Sequence, residues 1–180
     1  MTELSGAKQL FLKYGGSLFQ MDREGDYQRY RSFGVTKELE LQWLGELRSD
    51  LLARLALEND GVKIRLSVGA FVDSIGDLGD CQHVSRLLEI VRSKVGTIDS
   101  FSQLMVAEAI ARLANSCKVS GEASDLAAYA VATATEMLER IIQQPVEVAD
   151  EDQANALLRE VVQPHRIVER AQHGLQRLSR

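Results

Sequence analysis

The chain has 180 residues, of which 45% are hydrophobic and 26% charged; this composition excludes a disordered polypeptide and predicts one globular domain over residues 1–180. The net charge of −5 argues against nucleic acid as the main ligand, because phosphate backbones are bound by clustered Lys and Arg. No apolar run approaches the ~20 residues that cross a bilayer, and two cysteines are too few for a disulfide framework, so we expect a cytoplasmic protein with no membrane partner.

The first 35 residues are the least regular part of the sequence. Gly15-Gly16 ends an N-terminal helix, and a second, short helix extends from about Asp26 to Ser32. We therefore predict that residues 1–35 dock as an irregular segment on a helical bundle formed by residues 36–180.

The clearest helix runs from about Lys37 to Leu57. Thr36 can cap its N-terminus, and negative charge in its first turns suits the helix dipole. A stripe of leucines at ~100° per residue requires a partner surface. Its members are Leu41, Leu44, Leu47, Leu51, Leu52 and Leu55.

The segment that follows is ambiguous. Residues 62–68 alternate between apolar and polar side chains, as a half-buried strand does. At helical spacing the same region has one apolar face, formed by Ile64, Val68, Phe71, Val72 and Ile75. We predict a helix, because no second alternating run could pair with a lone strand and satisfy its backbone groups.

We expect two helices in the second half of the chain to form the centre of the bundle. Ser100 and Gln103 form a capping box that opens a helix to about Cys117, and this helix is apolar nearly all round. The next helix, from about Ala123 to Gln143, is rich in alanine. Because small side chains let helices approach closely, we predict that it packs against the buried helix.

Three further helices complete the pattern. One follows Gly79-Asp80 and ends at Gly96, one starts at Asp150 with Val162 near its end, and Pro164 opens a terminal helix. The sequence thus predicts an all-α fold, a multi-helix bundle of about seven helices with an aromatic-rich N-terminal segment. A short α-solenoid-like stack of helical hairpins is the alternative.

The sequence lacks the motifs of nucleotide-binding loops, zinc hydrolases, serine hydrolases and zinc ribbons, which lowers the expectation of an enzyme. One compact segment contains metal candidates, namely Asp77, Asp80 and His83. Asp and Gly also end one helix and cap the next, and the EF-hand order of ligands is not met. We therefore interpret this segment as a turn and expect no cofactor.

Seven of the ten aromatic residues lie in the first quarter of the chain, interleaved with arginines. Tyr, Trp and Arg are enriched at interface hot spots. The candidates for partner binding are Phe19, Tyr27, Arg29, Tyr30, Arg31 and Phe33. Alternatively, the rings attach an irregular segment to the bundle. If the segment binds a partner, its short helix should expose part of this set.

Charge is distributed unevenly along the second half of the chain. Residues 122–160 contain nine acidic and two basic side chains, whereas residues 164–180 contain four arginines and one glutamate. An acidic surface attracts a basic partner and raises the rate of association, but it can equally be a solvated face.

These observations favour a non-catalytic bacterial protein-binding module over an enzyme. One version is an immunity or antitoxin-like inhibitor or a regulatory partner, since a small acidic protein can block a basic active site without catalytic residues. Two alternatives stay open. One is a small helical enzyme, or a ligand- or metal-binding protein, with a pocket between helices; the other is a self-assembling structural subunit that forms homo-oligomers.

Overall fold

The computed structural model describes residues 3–75, 81–119 and 124–179. Within these ranges the chain is 78% helical and has no strand, which confirms the predicted all-α class. The described residues form ten helices, more than the expected seven or so; the short α3 and α9 begin where the sequence predicted helices, whereas α2 was not predicted. None of the described helices combines the length and apolarity needed to span a membrane. The helices are α1 (Glu3–Lys13), α2 (Leu18–Arg23), α3 (Tyr27–Arg31), α4 (Lys37–Leu57), α5 (Gly61–Ile75), α6 (Cys81–Lys94), α7 (Ser100–Val119), α8 (Ser124–Gln143), α9 (Asp150–Ala154) and α10 (Pro164–Leu178).

Contacts along the backbone divide the chain into two compact units, Met1–Ala53 and Arg54–Arg180. We call them the N-terminal unit and the C-terminal unit. The multi-helix bundle agrees with the predicted architecture. The single domain over residues 1–180 and the docking of residues 1–35 stay predictions.

An aromatic cluster forms the core of the N-terminal unit. The ring of Phe11 on α1 stacks on Tyr30 of α3, with 5.6 Å between centroids, and its centroid lies 5.8 Å from that of Trp43 on α4. All three side chains are buried. The turn after α1 requires glycine at Gly16, because its φ is +82° and a Cβ there would lie 2.6 Å from Cδ2 of Leu44.

In the C-terminal unit, α7 is central, as its all-round apolar pattern predicted. It contacts α5, α8 and α10, and its Leu104 and Ile110 are completely buried. Ala130 and Ala134 of α8 are also completely buried. Because α7 and α8 are in contact, the predicted packing of the alanine-rich helix against the buried one is confirmed. Met105 departs from the pattern, since it is 37% exposed.

The ambiguous segment is a helix, as predicted. α5 extends over Gly61–Ile75. Its buried apolar residues follow helical spacing and are Ile64, Val68, Phe71 and Ile75. They form the side that faces the interior of the C-terminal unit.

The predicted capping box at the start of α7 was wrong by one residue. Ser102 N donates a hydrogen bond to Asp99 Oδ1 at 2.9 Å, so Asp99 caps the helix. The hydroxyl of Ser100 instead accepts a hydrogen bond from Glu147 N at 3.0 Å. A serine next to an aspartate allows either residue to cap, and here the tertiary contact with Glu147 decides.

The predicted helix from Asp150 to near Val162 was also wrong, because α9 ends at Ala154. Asn155 has an extended backbone with ψ of 110°. Its Oδ1 accepts a hydrogen bond from Leu157 N at 3.0 Å. An Asn side chain that bonds to nearby backbone competes with the helix, and the chain continues to Val162 as turns.

Candidate functional site

One surface of the N-terminal unit carries an exposed aromatic ring. α2 is capped by Ser17, whose hydroxyl accepts a hydrogen bond from Gln20 N at 3.2 Å, and it buries Met21 completely. Phe19 is two positions from Met21, and at ~100° per residue it points away from the buried side. It is 77% exposed, and its neighbour Leu18 is 36% exposed.

Charged residues share this side of α2. Asp22 and Arg23 follow Phe19 by three and four positions, the spacing that places side chains together on a helix, and both are exposed. Arg23 pairs with Glu24, with 3.2 Å between nitrogen and oxygen. We call Leu18, Phe19, Asp22 and Arg23 the α2 surface.

The connection between α2 and α3 is held by a hydrogen-bonded carboxylate. The hydroxyl of Tyr14 donates to Asp26 Oδ2 at 2.6 Å, and Lys13 Nζ lies 3.1 Å from the same oxygen. The hydrogen bond from Tyr14 is the larger cause that lowers the pKa of Asp26, and the hydrogen bond from Lys13 lowers it further. Because Tyr14 directly follows α1 and Asp26 directly precedes α3, this network ties the start of α3 to the end of α1.

α3 contributes exposed arginines. Arg29 and Arg31 are both exposed, and the guanidinium of Arg31 lies 5.9 Å from the ring centroid of Tyr27. Tyr27 is half-buried. Phe33 is half-buried too, and the end of its ring lies 3.9 Å from where a Cβ on Gly6 of α1 would be. The expectation that the short helix exposes part of the candidate set therefore holds for Arg29 and Arg31.

Tyr30, a candidate for partner binding, lies in the core instead. It is 4% exposed, stacks on Phe11, and donates its hydroxyl to Glu40 Oε1 at 2.8 Å. Burial is the larger cause that raises the pKa of Tyr30, and the hydrogen bond to Glu40 raises it further. The packing alternative therefore describes Tyr30, since a ring enclosed in this way is not available to a partner.

The metal candidates do not form a described site. Asp77 and Asp80 lie outside the described residues. His83 is half-buried on α6. Asp73, four positions before Asp77, pairs with Arg112 at 3.8 Å, and both side chains are largely exposed. Among the residues described, no three His, Cys, Asp or Glu side chains come together as metal ligands would.

The acidic stretch is less uniform in the structure than in the sequence. Asp152 is 3% exposed and pairs with Arg65, and Glu136 pairs with Arg92 at 3.2 Å. The Asp152 carboxylate is therefore not accessible to a partner's cation, and Glu136 is already paired at the surface. The remaining described acids of this stretch are exposed: Asp125, Glu139, Glu147, Asp150, Glu151 and Glu160.

A groove of about 470 Å³ lies in the C-terminal unit between α7, α8 and α10. Leu138 of α8 lies beneath it, and Met105 and Leu178 add apolar surface. Its charged or titratable lining residues are Glu108, Arg112, Arg170, His173 and Arg177. We call this the α10 groove.

Sequence reasoning missed the α10 groove, although part of its signal was present. Arg170, His173 and Arg177 recur at i, i+3 and i+7 on α10, a spacing that places them on one side of a helix. The contribution of α7 could not be inferred, because it depends on which helices pack together. Comparison of the chain with protein-family models, curated proteins and solved structures finds no match.

Proposed function

We propose that this protein is a non-catalytic protein-binding module that contacts its partner through the α2 surface. The observation that supports this proposal is the 77% exposure of Phe19, in a unit that buries the rings of Phe11, Tyr30 and Trp43 and half-buries its remaining aromatic rings. Burying a Phe side chain contributes about 1.5–3 kcal/mol. A complex with a partner that has a matching pocket would be stabilised by that amount.

The exposed arginines of α3 favour a partner that carries acidic residues. Arg29 and Arg31 are both exposed, and arginines at the edge of an interface pair with carboxylates and speed association. A basic partner would instead bind the exposed acidic residues between positions 139 and 160. The proposal includes an immunity or antitoxin-like inhibitor or a regulatory partner, in a bacterial cytoplasm.

Site-specific cross-linking tests the proposal in cells of the source organism. A photoreactive benzoylphenylalanine in place of Phe19 should yield one dominant adduct, which mass spectrometry identifies. The same substitution at Leu157, which is 92% exposed in the C-terminal unit, is the control and should not yield that adduct. An adduct with a second copy of this chain would support the structural-subunit alternative and overturn binding of a different protein.

The identified partner then allows a quantitative test. Phe19→Ala should weaken its binding by ~2 kcal/mol or more, about 30-fold, because an aromatic anchor at the centre of an interface lies in the hot-spot range. Leu157→Ala should leave the affinity unchanged, and both variants should melt near the wild-type temperature because both side chains are exposed. Equal affinities of Phe19→Ala and the wild type would overturn the proposal.

A further inference from the structure

We propose that the α10 groove binds a small amphiphile, a molecule with an apolar body and one anionic head group. This inference is independent of the α2 surface, since it concerns other helices and other residues. At about 470 Å³ the groove has the size of a small-molecule site, roughly 300–1,000 Å³.

The bottom of the groove is apolar and depends on a close approach of two helices. A Cβ on Gly174 would lie 2.9 Å from Cδ1 of Leu138, so glycine lets α10 lie directly against α8. On α7, the half-buried Ala111 leaves space that a larger side chain would fill. Leu138 itself is 2% exposed, so the apolar surface open to a ligand comes from Met105, Ala111 and Leu178.

One end of the groove is already neutralised by an ion pair. Arg170 Nη2 donates to both carboxylate oxygens of Glu108, at 2.9 and 2.8 Å. The same nitrogen lies 3.8 Å from the sulfur of Met105. This pair connects α10 to α7, so Arg170 is less available to a ligand.

The other end offers uncompensated positive charge. Arg177 lies two helical turns beyond Arg170, about 10 Å along α10. Within the part of the chain that the structure describes, neither Arg177 nor His173 has a hydrogen bond or ion-pair partner. Arg112, one turn beyond Glu108 on α7, also lines the groove, but it is already paired with Asp73 at 3.8 Å. An anionic head group here would gain charge-assisted hydrogen bonds.

This distribution of charge favours a small amphiphile over an acidic amphipathic helix. A helix of that kind presents carboxylates along its length, and some would lie beside Glu108, where like charges repel. A molecule with a single head group at Arg177 and an apolar chain on Ala111 and Leu178 avoids that repulsion.

Nuclear magnetic resonance titration of the full chain tests the inference. The probes are decanoate, decyl phosphate and decanol below their micellar concentrations, together with a glutamate-rich amphipathic helical peptide. Decanoate or decyl phosphate should shift amide signals of α7, α8 and α10, and decanol should bind at least about tenfold more weakly because it lacks the charge. The stronger of the two anions distinguishes a carboxylate ligand from a phosphate ligand.

Matched variants locate the head group. Arg177→Gln should weaken binding of the stronger anion about tenfold. Arg166→Gln removes an exposed arginine of the same helix that pairs with Glu169 outside the groove, and it should leave the affinity unchanged. Ala111→Phe should fill the groove and abolish the shifts, while circular dichroism verifies that it folds.

Three outcomes would overturn the inference. The first is decanol that binds as tightly as the anions, which would show adventitious hydrophobic contact only. The second is an equal effect of Arg177→Gln and Arg166→Gln. The third is binding of the acidic peptide without the anions, which would assign the groove to a protein partner.

Discussion

At the scale of single residues, the hydroxyl of Tyr30 connects the aromatic core of the N-terminal unit to a buried carboxylate. Glu40 is 8% exposed, and its Oε1 accepts a hydrogen bond from the Tyr30 hydroxyl at 2.8 Å. Lys37 Nζ lies 3.3 Å from the other carboxylate oxygen. A buried carboxylate is costly unless it is hydrogen-bonded. Tyr30 therefore stabilises the core in two ways: its ring packs on Phe11, and its hydrogen bond offsets the cost of burying the Glu40 carboxylate.

We predict that Tyr30→Phe lowers the free energy of unfolding by about 1–3 kcal/mol. The ring packing is kept, while Glu40 loses a buried hydrogen bond to a charged acceptor. Urea denaturation measures the change. Tyr27→Phe, at a half-buried tyrosine of the same helix, is the control and should change the free energy by less than ~0.5 kcal/mol. Equal effects of the two substitutions would contradict the role of the hydrogen bond.

The same pair predicts a dependence on pH. Because folding raises the pKa of Tyr30, its stabilising contribution is complete below the unfolded pKa of about 10 and is lost as the pH rises above it. The stability difference between wild type and Tyr30→Phe should therefore narrow above pH ~10. A difference that stays constant across that range would show that the hydroxyl keeps an ordinary pKa.

The buried side of α4 shows why sequence analysis misses buried charged residues such as Glu40. Leu44, Leu52 and Leu55 of the predicted stripe are buried, but Leu41 is 41% exposed. Glu40 and Arg48, which a hydrophobic pattern assigns to solvent, are buried on the same helix. Side-chain periodicity reveals where apolar residues lie, whereas burial of a charge depends on a partner elsewhere in the chain.

At the scale of elements, a partly buried ion pair connects the short helix α9 to α5. Arg65 of α5 donates to both carboxylate oxygens of Asp152, one of them at 2.5 Å, and also lies 3.3 Å from Ser102 Oγ. The guanidinium lies 4.9 Å from the ring centroid of Phe101. A five-residue helix without a side-chain cap is marginal alone, so this pair holds α9 in place.

We predict that Asp152→Ala lowers the free energy of unfolding by about 3 kcal/mol, because it leaves the partly buried Arg65 without its counter-charge. Hydrogen exchange should accelerate in residues 150–162 more than in α7. Asp150→Ala removes an exposed carboxylate two positions away and should have an effect below ~0.5 kcal/mol. Unchanged exchange after Asp152→Ala would show that α9 is held by other contacts.

The sequence predicted the long helices well and the stretch after α9 poorly. The limits of α4, α5 and α10 follow from capping residues, glycine and proline close to each helix. Residues 155–162 have a helical composition, but a local hydrogen bond to the Asn155 side chain competes with it. Composition over a window cannot decide between two conformations that differ by one such bond.

At the scale of the whole molecule, the helices should dominate the far-ultraviolet spectrum. With 78% of the described residues helical, circular dichroism should show helix far above the 30–35% of average domains and strand as a minor component at most. Strand content at the average level of ~20–25% would contradict the fold.

The candidate sites were less predictable than the fold. An aromatic-rich segment was evident in the sequence, yet only the structure separates Phe19, which is exposed, from Tyr30, which is buried. The α10 groove joins residues from positions 105 to 178, and no local pattern encodes which distant helices meet. Element formation is local, whereas a site assembled from several elements depends on their packing.

Trp43 is the single tryptophan of the chain and lies buried against Phe11 in the N-terminal unit. Its fluorescence emission therefore reports on that unit alone, while ellipticity reports on the helices of both. If residues 1–180 form a single domain, thermal transitions followed by the two signals should coincide. Two separate midpoints would mean that the chain carries its own optical label for one of two independently melting parts.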